Sequence, residues 1–255
     1  MKKLGLFLLS VVVTLLTSTA QAAELRIAVA ANFNGTLQQL ANSFEQQTNH
    51  KVILSAGSSG ALYAQIQNSA PFDIFFSADS RRPELLVSEG LALSDSLFTY
   101  AIGVPVLWSA DDKLIDAEGK VLRQNRFRYL ALANPDNAPY GFAGQQVLTQ
   151  MGLWDQLNTQ QKIVRSQNIG QAHSHIASGA AELGFIALAQ IMHSEFKGKG
   201  SMWIPPANSY DPIVQKAVIL QSATDKQLAA DFMAFIRSPE SAAVIREAGY
   251  ALDKD

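Results

Sequence analysis

"LRIAVAANFNGTLQQLANSFEQQTNHKVILSAGSSGALYAQIQNSAPFDIFFSAD", residues 25–79, decides the fold class. LRIAVAA is a strand-like apolar run. In the stretch after it, Leu37, Leu40, Ala41 and Phe44 fall at i, i+3, i+4 and i+7, one face of a helix. KVILSA then reads as a strand, GALYAQIQNSA as a helix and FDIFFSAD as a strand that is apolar nearly throughout. Near-continuous apolar strands separated by amphipathic helices are the pattern of parallel strands covered on both faces. The opening is βαβαβ and the class is α/β.

Working outward, the pattern recurs. RYLALANP (128–135) is a strand ending in a turn, and GFAGQQVLTQMGL is a helix that Gly152 can stop. KIVRS is a short strand, GQAHSHIASG a helix and LGFIAL a buried strand. Two long apolar segments flank this second set: FTYAIGVPVLWS (98–109) and YDPIVQKAVIL (210–220). The chain closes with two helices; Pro239 suits the first turn of the second and Gly249 its end. Two α/β lobes joined by two extended segments fit this order, with 23–101 plus 213–255 as lobe one and 102–212 as lobe two. A single doubly wound domain fits the pattern as well.

Composition narrows the function classes. Of 255 residues, 48% are hydrophobic and 16% charged, a compact chain rather than a disordered one. The net charge of −2 gives no footing for nucleic acid. The N-terminus reads MKK, an apolar core from Leu6 to Leu16 too short to span a bilayer, and a small-x-small AQA at 20–22. Residues 1–22 therefore read as a secretory signal. Removing them leaves 18 basic residues against 22 acidic. There is no cysteine, hence neither a disulfide nor a lipid-bearing cysteine at the cleavage point. The mature chain is expected free in a Gram-negative periplasm, as a monomer.

In open α/β sheets, ligands bind beyond the carboxyl ends of the strands. Four such ends carry small polar or glycine-rich turns: VAANFNG (29–35), AGSSGA (56–61), ANPDNAPYGFAG (133–144) and SQNIGQA (166–172). Each opens a helix, where unpaired N–H groups and the macrodipole attract anions. Asn32, Ser58, Ser59 and Tyr140 can add side-chain donors, and none of the turns contains Lys or Arg. Such a site holds a dianion by neutral donors alone. A competitor carrying its own proton would bring a donor with no acceptor. The same residue types also serve as ordinary caps and turns.

VAANFNGTLQQLANSFEQQT, SAGSSGALYAQI, APFDIFFSAD, NPDNAPYGFAGQQVLTQMGLW and ASGAAELGFIALAQ resemble the periplasmic molybdate-binding proteins of ABC transporters. The resemblance runs in order from Leu25 to the C-terminus, including SPESAAVIREAGY, and is nearest the branch with Asn-Phe after the first strand. It implies a two-lobe type II periplasmic binding protein fold with two crossover hinge strands. It also implies a molybdate or tungstate ion buried between the lobes, no cofactor, no catalysis, and delivery to a membrane permease. Its oxyanion contacts map to Ala31 and Asn32, to Ser59 with Ser58 beside it, and to the backbone of Tyr140 and of Ile169. Ala31 stands where the family often has a hydroxyl residue, so it is left with only its N–H. Another branch uses a tyrosine where this chain has Ala187; Asn32 is the candidate to compensate.

Three rival readings of these residues exist. His173 and His175, two apart on a helix, face different ways, with no nearby carboxylate or cysteine to complete a metal site. GSSGA lacks the spacing of a nucleophile elbow, and no histidine–acid partnership is identifiable. The serious alternative is another tetrahedral oxyanion, such as sulfate, which would use the same donors.

Overall fold

The structure, a computed structural model, describes residues 23–192 and 196–252. The signal reading of residues 1–22 lies outside them. The first lobe begins with β1 (Glu24–Ala30), α1 (Asn34–Thr48), β2 (Lys51–Gly57), α2 (Ser59–Gln67), β3 (Ile74–Phe76) and α3 (Arg81–Ser88). The chain crosses by β4 (Phe98–Gly103) into β5 (Pro105–Ser109). The second lobe contains α4 (Val121–Gln124), β6 (Leu130–Ala133), α5 (Pro139–Gln150), α6 (Trp154–Thr159) and β7 (Ile163–Ser166). It continues with α7 (Ile169–Ala177), β8 (Leu183–Ala187), α8 (Ala189–Met192) and β9 (Ser201–Trp203). β10 (Ile213–Ile219) returns to the first sheet, followed by α9 (Lys226–Ile236) and α10 (Pro239–Glu247).

The two five-stranded sheets run β2-β1-β3-β10-β4 and β7-β6-β8-β5-β9. Each is built alike. Three parallel strands come from α/β units, and a strand entering from a crossover adds antiparallel. The two-lobe type II architecture is therefore present, and the single doubly wound domain is not.

The apolar segment 98–109 is two strands rather than one. Gly103 pairs with Ile213 in the first sheet, and Pro105 pairs with Ala187 in the second, leaving Val104 between them. Proline, which cannot donate to a ladder, sits at the start of its strand, where that loss is tolerated.

Local chemistry explains the elements. Leu37, Leu40, Ala41 and Phe44 are the buried stripe of α1, and Asn49 ends the helix in a left-handed conformation (φ 60°). Gly152 (φ 72°) and Gly249 (φ 89°) take the same conformation after α5 and α10. Asp225 and Ser238 cap α9 and α10 by accepting from Leu228 and Ser241 N–H, and Pro239 occupies the first turn. Phe44 meets Phe232 edge-on at 5.0 Å, tying α1 to α9. On the other face of the first sheet, Leu62, Ile66 and Leu86 from α2 and α3 pack on Phe75 and Val218.

Candidate functional site

Ala31, Asn32, Ser58, Ser59, Tyr140 and Ile169 all line one cavity between the lobes, with Ala30, Gly57, Ala78, Ala138 and Pro139. The cavity volume is about 10 Å³, far below the roughly 300–1,000 Å³ of sites for drug-sized ligands. No ionisable carboxylate, amine, guanidinium or imidazole lines it.

The cavity floor comes from lobe one. Ser59 opens α2 and is buried. Its Oγ accepts from Ala78 N–H at 2.9 Å, which leaves the hydroxyl proton free to donate. Ser58 is the N-cap; its Oγ accepts from Ala61 N–H at 3.4 Å. So Ser58 does the ordinary capping work that its residue type suggests, at the edge of the same cavity.

The expected mode of contact changes at the first turn. Ala31 N–H donates to Gly57 O at 2.9 Å, extending the β1–β2 ladder. The reading that Ala31 offers its N–H is therefore corrected: Ala31 lines the cavity with its methyl side and its amide is spent. The unpaired amide is that of Asn32. The Asn32 side chain is committed elsewhere, with Nδ2 donating to Gln215 Oε1 at 2.6 Å and to the Tyr250 hydroxyl at 3.2 Å.

The roof comes from lobe two. Pro139 holds the first position of α5 and has no N–H, so Tyr140 presents the first amide of that helix. A Cβ on the next residue, Gly141, would stand 2.0 Å from Ala133 O, so only glycine lets α5 sit this low on β6. Ile169 opens α7 behind Asn168, whose side chain accepts from Gln171 N–H at 3.0 Å. Gln190 fixes the turn by donating to Ile169 O and accepting from Ala187 N–H. Ala187 itself does not line the cavity.

The N–H groups of Asn32, Ser59, Tyr140 and Ile169 have no hydrogen-bond partner among the described residues. Three of them lie in the first turn of a helix and the fourth two residues before one. Partial positive charge therefore converges from four helix starts on a space free of counter-charge. Arg82, outside the lining, is paired to Asp79 and donates Nη2 to Asp136 O at 3.1 Å, across the cleft. Beside it, Gly60 N–H donates to Asn137 O at 2.9 Å. These two bonds tie lobe one to lobe two at the cavity rim.

Behind the cavity lies a layer that sequence reasoning did not find. Gln215, Tyr100 and Tyr250 are buried there with Asn32 and Tyr140. Burial first, then the neighbouring phenols, pushes Tyr100 and Tyr140 well above the usual phenol range. Burial raises Tyr250 as well. All three remain neutral donors and acceptors at ordinary pH. A signal for Gln215 existed: it shares the strand phase of Ile213 and Ala217, the core-facing positions of β10.

His173 and His175 take separate roles. His173 stacks on Trp108 at 5.4 Å and meets Phe196 edge-on, and burial lowers its pKa. His175 Nδ1 lies 3.3 Å from Ser166 Oγ.

Residues 25–251 match the family model described as bacterial extracellular solute-binding protein. The chain is 45% identical to the molybdate-binding protein ModA of Azotobacter vinelandii over 238 residues, covering 93% of this chain and 94% of that one. It is 39% identical to the molybdate-binding protein ModA of Rhodobacter capsulatus over 234 residues, covering 92% and 90%. The solved structure of the Azotobacter vinelandii periplasmic molybdate-binding protein superposes with a TM-score of 0.88 at 54% identity, over 90% of this chain and all of that one.

Proposed function

The chain belongs to the bacterial extracellular solute-binding protein family, and from that premise we propose that it is the periplasmic receptor of a molybdate transporter. The observation that carries this reading is that four residues lining an uncharged cavity between the two lobes have backbone N–H groups without a partner among the described residues. Its relatives of 45% and 39% identity are named for molybdate, which favours that ion over sulfate.

Asn32, Ser59, Tyr140 and Ile169 hold the anion by backbone N–H groups, and Ser59 adds its hydroxyl. Ser58 closes the floor beside them, and Ala31 gives only its surface. Tungstate, of the same charge and shape, is a second ligand. No cofactor and no bond-making enter the mechanism.

The ion first meets the lobe-one turns in an open form. Rotation about the crossovers at Val104 and residues 210–212 then brings the α5 and α7 amides onto it and expels water. Expelling water strengthens each N–H contact, because the local dielectric falls. Charge selects dianions. The absence of any carboxylate in the lining rejects a protonated oxyanion such as hydrogen phosphate, whose proton would be buried unpaired. Cavity size separates molybdate from the smaller sulfate. The closed form is what a membrane permease would receive from a monomeric carrier.

The test is calorimetric titration of the purified protein with molybdate, tungstate, sulfate and phosphate, in buffer free of all four. Tight binding of molybdate and tungstate without sulfate heat is expected. Tight sulfate binding would overturn the ligand, and no heat with any of them would reduce the four turns to helix caps.

A further inference from the structure

We propose that Gln215 is a positioning residue for the anion site, pinning the lobe-one and lobe-two halves of the cavity to the same crossover strand. The proposal rests on the molybdate reading above.

Gln215 is fully buried on β10, the returning crossover. Its Oε1 accepts from Asn32 Nδ2 at 2.6 Å, and the Tyr100 hydroxyl stands 3.1 Å away. Its Nε2 donates to the Tyr140 hydroxyl at 3.4 Å. Asn32 lines the lobe-one side of the cavity and Tyr140 the lobe-two side. One side chain therefore touches a residue from each half, on the strand that joins the halves.

The local backbone is shaped for this contact. Gln215 pairs with Ala101 and Lys216 with Thr99, so Tyr100 is an extra residue on β4. Such a bulge re-aims a side chain. Here the Tyr100 hydroxyl is brought within reach of Gln215 Oε1 and of Ser77 O at 3.0 Å. Gly103, at the other crossover, leaves the room required. A Cβ there would lie 2.2 Å from the Tyr140 hydroxyl and 3.0 Å from Gln215 Nε2.

Asn32 is fixed from the far side too, its carbonyl accepting from the Tyr250 hydroxyl at 2.8 Å. With its side chain and carbonyl both held, its remaining polar group, the N–H, has one direction to point. No charged group takes part in this layer, so pinning adds no field that would oppose a dianion.

The experiment measures molybdate affinity for wild type, Gln215→Leu, Tyr140→Phe and the double variant. Wild-type binding establishes the ligand reading independently. Given that binding, Gln215→Leu is expected to weaken affinity about tenfold, the loss of one hydrogen bond's worth of positioning. Tyr140→Phe is expected to weaken it less, and the double variant to equal Gln215→Leu, because both changes remove the same cross-lobe bond. Unchanged affinity in Gln215→Leu, or fully additive losses in the double variant, would overturn the proposal.

Gln215→Glu guards against misfolding of the leucine variant. It keeps the shape and the acceptor for Asn32, exchanges the Nε2 donor for a carboxyl oxygen that can accept from the Tyr140 hydroxyl, and places a titratable carboxyl behind the anion. Its affinity is expected to fall at neutral pH and recover toward acid pH as the carboxyl protonates, while wild type stays flat. A pH-independent Gln215→Glu that binds like wild type would also reject the pin.

Discussion

At the scale of single residues, Ser59 and Ser58 separate two roles that look identical in sequence. Ser59 Oγ accepts from a buried backbone amide and has its proton left for the cavity. Ser58 Oγ caps its own helix. Ser59→Ala is expected to weaken molybdate binding by about 1–3 kcal/mol, the range for a charged partner left short of a hydrogen bond. Ser58→Ala should instead lower thermal stability, by about 0.5–2 kcal/mol as for a lost N-cap, with the smaller effect on affinity. Parallel calorimetry and melting curves check both, and equal losses of affinity would merge the two roles. The four turns were legible because residues that cap helices and residues that leave amides open are the same short list. The mode of Ala31 was not legible. Its acceptor, Gly57 O, arrives from another strand, and only the β1–β2 register shows that the amide is already used. Gln215 is not legible as a site residue because a lone polar residue in an apolar run carries no motif; only its phase puts it among the core positions of β10.

At the scale of elements, the parallel units were readable because their periodicities are clean. The segment 98–109 was not, since nothing in an unbroken apolar run marks where it leaves one sheet for another. The Gly-Val-Pro triplet is the physical marker in hindsight. Gly60, in the first turn of α2, yields a prediction with opposite signs in two measurements. A Cβ there would stand 2.9 Å from Asn137 Oδ1, 3.0 Å from Asn137 Cα and 3.0 Å from Arg82 Nη2. The two Asn137 atoms belong to the other lobe, so the clash with them exists only when the lobes are together. In the open form, alanine is the better helix former, by about 1 kcal/mol. Gly60→Ala is therefore expected to leave the ligand-free melting temperature unchanged or raised, yet to weaken molybdate binding about tenfold without touching an anion donor. A variant that binds normally would show that the rim contact through Gly60 N–H and Asn137 O plays no part in closure.

At the scale of the whole molecule, the cavity between the lobes is lined by neutral groups, and this sets how ligand binding answers pH. No titratable carboxyl, amine or imidazole lines the cavity, so molybdate affinity is expected to be flat from about pH 6 to 9. Stability should behave differently in alkali. Tyr100, Tyr140 and Tyr250 have hydroxyls whose folded pKa is raised by burial above the ordinary value of 10.0. Above pH 10 the unfolded chain releases these protons while the folded chain keeps them, so the unfolded state binds fewer protons. The sign of the linkage is then a loss of stability with rising pH. The stability these phenols provide is complete below pH 10 and is lost above it, at up to about 1.4 kcal/mol per pH unit for each. Denaturant midpoints from pH 8 to 11, followed together with tyrosinate absorbance, test this. Of the six tyrosines, these three are expected to ionise only as the protein unfolds. Tyrosinate absorbance that reached its full value before the denaturant midpoint moved would show the layer behind the anion site to be open to solvent. It would then remove the neutral frame on which both the closed cavity and the Gln215 pin depend.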